Sequence, residues 1–127
     1  MRHFSSLITA LALLTITISC ADKNMSKNTD GSYTINTIEL GKNIKGYNAQ
    51  VPISITIKNS VIQQVVLYEN DETPEYLIDV ENRLLPKYKN LSINNISNID
   101  AISGATFTSR AVMRNVDVAV KYYLENK

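Results

Sequence analysis

Four hydroxyls fall within seven residues near the C-terminal end of the chain, at Ser103, Thr106, Thr108 and Ser109 of the stretch Asp100-Ala101-Ile102-Ser103-Gly104-Ala105-Thr106-Phe107-Thr108-Ser109. Gly104 permits backbone angles that other residues resist, and an apolar pattern of helical period begins immediately afterwards. A turn that opens a helix leaves the first N–H groups without intrahelical acceptors. Those groups and the positive end of the helix dipole favour an anion, most commonly a phosphate. Anchoring a phosphorylated group is therefore the chemistry these residues could do.

Elimination narrows the alternatives. The only His is His3 and the only Cys is Cys20, both inside an N-terminal segment that reads as a secretory signal. Arg2 precedes an apolar run from Leu7 to Ile18 that is too short to span a membrane comfortably, and Ser19-Cys20 follows. Thr17-Ile18-Ser19-Cys20 resembles the lipobox of bacterial lipoproteins, with Thr17 where Leu is usual, so Cys20 is the candidate lipid acceptor and new N-terminus. An ordinary signal peptide cut nearby, or an uncleaved anchor, is the alternative.

A mature chain without residues 1–20 has neither imidazole nor free thiol. Histidine-based triads, Cys-His catalysis, Cys/His zinc sites, thiolate-held iron–sulfur clusters and disulfides are excluded for it. If it handles electrons, an organic cofactor must do so. Loss of Arg2 leaves 12 basic residues against 12 acidic ones, and a formally neutral domain argues against a nucleic-acid or polybasic membrane surface.

The elements that would position the turn follow from periodicity. Residues 21–32 are polar and read as a flexible tether. Tyr33, Ile35 and Thr37 alternate as a first strand. In Val51 to Lys58, Val51, Ile53, Ile55 and Ile57 alternate with polar or turn-forming residues, with Pro52 near the strand start. Asn59-Ser60 then turns the chain into Val61 to Tyr68, an antiparallel hairpin. Glu72-Thr73-Pro74-Glu75 has the signature of a helix start with Thr73 as cap, and the helix runs to about Leu85, stopped by Pro86.

Leu91 to Ile99 fits either a short strand or an ordered loop. The last helix, about Ser109 to Glu125, carries a core stripe of Val112, Val116, Ala119, Val120 and Tyr123. The expected fold class is α+β: a small twisted antiparallel sheet packed against a C-terminal helix and one internal helix, with residues 33–127 as one domain.

The Asp100 to Ser109 stretch resembles the flavinylation motif of the small FMN-binding domain family, in which Asp, two variable residues, Ser or Thr and Gly-Ala-Thr are often followed by Thr-Ser. That family includes peripheral domains of the sodium-translocating NADH:quinone reductase and of the Rnf complex. Gly46-Tyr47 before the Val51 strand, and Glu72-Thr73-Pro74 after the next one, resemble two further landmarks in the right order.

The resemblance implies that Thr106 carries FMN through a phosphoester, installed after export by a flavin transferase using FAD and magnesium, with Thr108 as the second candidate acceptor. It implies that Ser103, Gly104 and Ala105 form the turn around the phosphate, that Asp100 orients the turn or helps the transferase, and that Glu72 and Thr73 lie near the flavin ring. Glu75 stands where the family usually has Gly. For Asp100 and Ser103 a turn satisfying its own backbone, and for Thr73 a plain helix cap, are equal alternatives.

The expected function is extracytosolic electron transfer on the periplasmic or outer side of a bacterial membrane, by a lipid-anchored domain exchanging electrons with membrane redox proteins or quinone-linked donors. The other readings are a flavin-dependent reductase of a small acceptor and a cofactor-free lipoprotein module. Ala21 lacks the aspartate that favours inner-membrane retention, which leans the anchor outward.

Overall fold

Alternation at Ile53, Ile55 and Ile57 puts three fully buried isoleucines on one face of a strand and Ser54, Thr56 and Lys58 on the other. The computed structural model describes residues 22–127, so the signal segment and Cys20 lie outside the described residues. Five strands, β1 (Met25–Lys27), β2 (Tyr33–Asn36), β3 (Ile53–Lys58), β4 (Val61–Leu67) and β5 (Leu91–Ser92), form one antiparallel sheet in sequence order. Asn59 and Ser60 close the β3–β4 hairpin with φ of 51° and 63°, the left-handed pair whose twist matches the flanking strands. Thr56 faces Gln64 and Ile57 faces Ile62, so Gln63 is an extra residue that bulges β4.

The tether expectation for residues 21–32 is not met from Asp22 onward. Met25–Lys27 is the edge strand β1, paired with β2. Its polar residues serve turns: the Asn28 amide donates to Ser32 Oγ and Thr34 Oγ1, both at 2.9 Å, and Ser32 N–H donates to Asp30 Oδ1 at 2.9 Å. Backbone pairing needs little apolar burial, so low hydrophobicity did not exclude a strand here.

The internal helix passes through the proline expected to stop it. α1 (Pro74–Asp79) runs into a π-helical turn (Val80–Leu84) and then α2 (Leu85–Tyr88), with Pro86 in the first turn of α2. Leu85 N–H donates to Val80 O, five residues back. The wider turn accommodates a residue that lacks an N–H and crowds the carbonyl four residues before it. Val80, Leu84 and Tyr88 are buried by it. Thr73 precedes α1 but makes no side-chain cap; its carbonyl instead accepts from Tyr76 and Leu77 N–H at 3.0 and 3.1 Å. Leu91 to Ile99 starts as the two-residue strand β5 but continues as a 3-10 helix (Ile93–Asn98) capped by Ser92, not as the expected loop.

The last helix, α3 (Thr106–Asn126), begins three residues earlier than the periodicity suggests. The expected stripe of Val112, Val116, Ala119, Val120 and Tyr123 is buried and packs on β2 and β3. Asn115, on the same buried side, donates through Nδ2 to Ala111 O at 2.9 Å and to Val51 O at 3.0 Å, pinning the helix to the start of β3. Its Oδ1 faces Gly41, where a methyl would come within 2.0 Å.

Asn115→Ala strands the buried Val51 carbonyl and is expected to cost about 1–3 kcal/mol. Gly41→Ala is expected to destabilise through the collision, yet to cost less on an Asn115→Ala background, where only the 3.1 Å approach to Thr37 O remains. Urea midpoints of the four chains of this double-mutant cycle measure both effects.

Candidate functional site

The turn before α3 is built so that most of its polar groups are already committed. Gly104 takes φ of 87°, a left-handed angle that costs a side-chain-bearing residue energy, and turns the chain into the helix. Ala105 N–H donates to Ile102 O at 3.1 Å, and Ser109 N–H donates to Ala105 O at 2.9 Å as the first helical bond. The buried Ser109 hydroxyl accepts from Ile102 N–H at 3.2 Å. Between these bonds, the N–H groups of Thr106, Phe107 and Thr108 have no acceptor among the described residues. Ala105 in the cap position offers no hydrogen-bonding side chain, and the first turn holds no acid. A helix terminus without its own cap or carboxylate is open to an external anion.

Beside it lies a cleft of about 240 Å³ lined by Tyr47, Tyr76 and the run Gly104 to Thr108. Tyr47 meets Tyr76 edge-on at 5.7 Å between ring centres and Phe107 at 6.1 Å. Tyr47 and Phe107 remain about three-fifths exposed, at 60% and 61%, so two aromatic faces are open at the mouth. Aromatic rings beside an anion-binding terminus suit a flat conjugated group carrying a phosphate.

Glu72 holds these parts together from beneath. Only 5% exposed, its carboxylate accepts from Tyr47 N–H at 2.6 Å, Asn48 N–H at 2.7 Å and the Thr108 hydroxyl at 3.3 Å. The loop carrying Tyr47 is thereby fixed to the first turn of α3. Gly46 makes the approach possible, since a Cβ there would fall 1.6 Å from Glu72 Oε1. Asn48 Nδ2 adds contacts to Asp71 O at 3.1 Å and Thr73 Oγ1 at 3.4 Å.

The residues singled out in the sequence separate accordingly. Thr106, Gly104, Ala105 and Thr108 line the cleft. Thr106 is half-buried with no hydrogen-bond partner for its hydroxyl among the described residues, whereas Thr108 is buried and its hydroxyl is engaged by Glu72. Ser103 and Asp100 are exposed and do not line the cleft; Ser103 O accepts a 3.4 Å bond from Arg83. Glu72 and Thr73 are likewise not among the lining residues, Glu72 acting behind the cleft wall. Tyr76 and Phe107 were not expected in the site. Phe107 had a signal, an aromatic residue off the buried stripe of its helix.

Residues 46–121 match the family described as FMN-binding domain, and the chain belongs to that family. FMN is thus the cofactor to be fitted, and an uncapped helix terminus beside three aromatic rings suits its phosphate and its ring system. Comparison with curated proteins and with solved structures returned no match. Among the described residues no group of three or more His, Cys, Asp or Glu could hold a metal ion, and no helix is long and apolar enough to cross a membrane.

Glu72→Ala leaves the Tyr47 and Asn48 amides unpaired and is expected to cost about 2–3 kcal/mol, a fall in Tm of roughly 10–20 °C for a domain of this size. Gly46→Ala forces the carboxylate aside and is expected to shift the Tyr47 and Thr108 NMR resonances while leaving those of β1 unchanged. Unaltered Thr108 resonances in Gly46→Ala would refute the clamp.

Proposed function

We propose that this protein is an electron-transfer flavoprotein in which FMN is bonded through its phosphate to the Thr106 side-chain oxygen. The observation that carries the reading is that, of the two cleft-lining threonines, Thr106 alone has a hydroxyl with no partner among the described residues, at a helix terminus with no cap of its own. Thr108 is the weaker acceptor. Using its hydroxyl would remove a bond from a buried carboxylate, a cost of about 1–3 kcal/mol. In the attachment step the Thr106 oxygen bonds to the phosphorus of the FMN half of FAD, AMP leaves, and the hydroxyl gives up its proton. A flavin transferase supplies that step.

FMN, once bound, supplies the capacity to take up and release one or two electrons. The chain binds and orients it. The free amides of Thr106, Phe107 and Thr108 face the phosphate, Gly104 opens the approach, and Tyr47, Tyr76 and Phe107 offer faces to the ring. The lining holds no carboxylate, amine or guanidinium to move a proton for a separate substrate, which favours a relay over a self-contained reductase. Export and a lipid on Cys20 complete the proposal. A covalent bond suits an exported domain, because a cofactor that dissociated outside the cell would be diluted away.

Co-production with a flavin transferase is expected to give a yellow protein whose intact mass includes one FMN, with the label on the peptide that contains Thr106. Thr106→Ala abolishes the label. Thr108→Ala keeps it while lowering stability by about 1–3 kcal/mol. Loss of label only in Thr108→Ala moves the attachment site, and an unmodified wild-type peptide overturns the assignment.

A further inference from the structure

The N-terminal segment gives the domain a fixed polarity. Tyr122 Oη donates to Asp22 Oδ2 at 2.6 Å, and Asn24 N–H donates to Asp22 Oδ1 at 2.9 Å. Asn36 then holds the next two residues, its Nδ2 donating to Lys23 O at 2.8 Å and its N–H to Asn24 O at 2.9 Å, before β1 begins. The Tyr122 hydroxyl and the Asn24 N–H hold the Asp22 carboxyl below its ordinary value of 3.8. A depressed value means that this latch contributes fully above the ordinary carboxylate range and is lost only as pH falls through the folded value, so it is closed at neutral pH.

Tyr122 lies near the far end of α3 from Thr106. Their separation of 16 residues is about 24 Å along the helix axis. Only Ala21 separates Asp22 from Cys20, so Cys20 lies within about 7 Å of Asp22 along the chain. A lipid on Cys20 is thus bound close to one end of the molecule, and the cleft lies at the other.

Charge distribution reinforces that direction. Lys27 lies over the Tyr33 ring, Tyr33 packs on Tyr123, and Lys127 lies over Tyr123, which places two cations beside the Asp22 carboxylate at the anchored end. Residues 69–83, which include the cleft residue Tyr76, hold six acids, one of them the buried Glu72, against one base, Arg83. Anionic headgroups attract lysines near the surface by about 1 kcal/mol each and repel carboxylates. The cleft end is the one that such a surface turns away.

We infer that lipid on Cys20 holds the flavin cleft at the end of the domain away from the bilayer, so that its electron partner is a water-exposed redox protein and not a quinone dissolved in the membrane. This rests on the flavin and lipid assignments proposed above. The acidic stretch beside the cleft complements a partner whose docking face is basic.

The test uses the lipidated, flavinylated full-length protein on anaerobic vesicles that contain a long-chain quinone. Its flavin is photoreduced and the return of visible absorbance is followed, two electrons and two protons passing from the reduced flavin to the quinone. The compared chain carries a Gly/Ser insert of about 20 residues between Ala21 and Asp22, whose mean reach of about 25 Å matches the span from latch to cleft. The native chain is expected to reoxidise no faster than on quinone-free vesicles, and the insert to raise the rate roughly tenfold or more by letting the cleft reach the surface. A water-soluble short-chain quinone is expected to reoxidise both chains equally.

Equal rates for the two chains on long-chain-quinone vesicles, whether fast or slow, overturn the inference alone. Intact mass separates the remaining failures. FMN without lipid removes the anchor and overturns the inference while the flavin assignment stands, and a chain without FMN overturns both.

Discussion

The site depends on one buried carboxylate. Glu72 is removed from water, which is costly for a charged group, and that cost is offset only because two backbone amides and a hydroxyl converge on it. The three donors come from separate parts of the chain, the Tyr47–Asn48 loop and the first turn of α3. One group therefore sets both walls of the cleft. Gly46 belongs to the same constraint, because the carboxylate occupies the space that any side chain there would need.

From that clamp the roles of the crowded hydroxyls follow by subtraction. Ser109 closes the turn onto Ile102, and Thr108 answers Glu72. What is left in the cleft is Thr106, the first residue of a 21-residue helix whose opening amides lack acceptors. The π-helical turn contributes from the other side. Its extra residue carries the internal helix past Pro86 so that Tyr88 is buried, and its Arg83 reaches the carbonyl of Ser103 on the turn itself.

Much of this was legible in the sequence because it rests on periodicity. The alternating isoleucines and the Val112 to Tyr123 stripe define the sheet and α3, and the Gly-Ala-Thr turn before that stripe marks the site. What was not legible has specific causes. Asn, Asp, Ser and Thr between Asp22 and Ser32 have the composition of a linker, but here their side chains bond turns that support an edge strand. Pro86 signals a stop, and only the long-range burial of Leu84 and Tyr88 shows why the helix widens instead. Thr73 fits a capping pattern, yet its carbonyl closes the turn. Glu72 carries no local sign that its partners lie 24, 25 and 36 residues away.

The placement of the site on α3 has a further physical consequence. The helix is held along its length, by Glu72 at the first turn, by Asn115 at the middle and by the Asp22 contact near the end. A group attached at Thr106 therefore inherits the rigidity of the whole sheet-and-helix body. In such a body a cofactor held at Thr106 would not swing on a loop. From Asp22 onward the chain is already built into the fold.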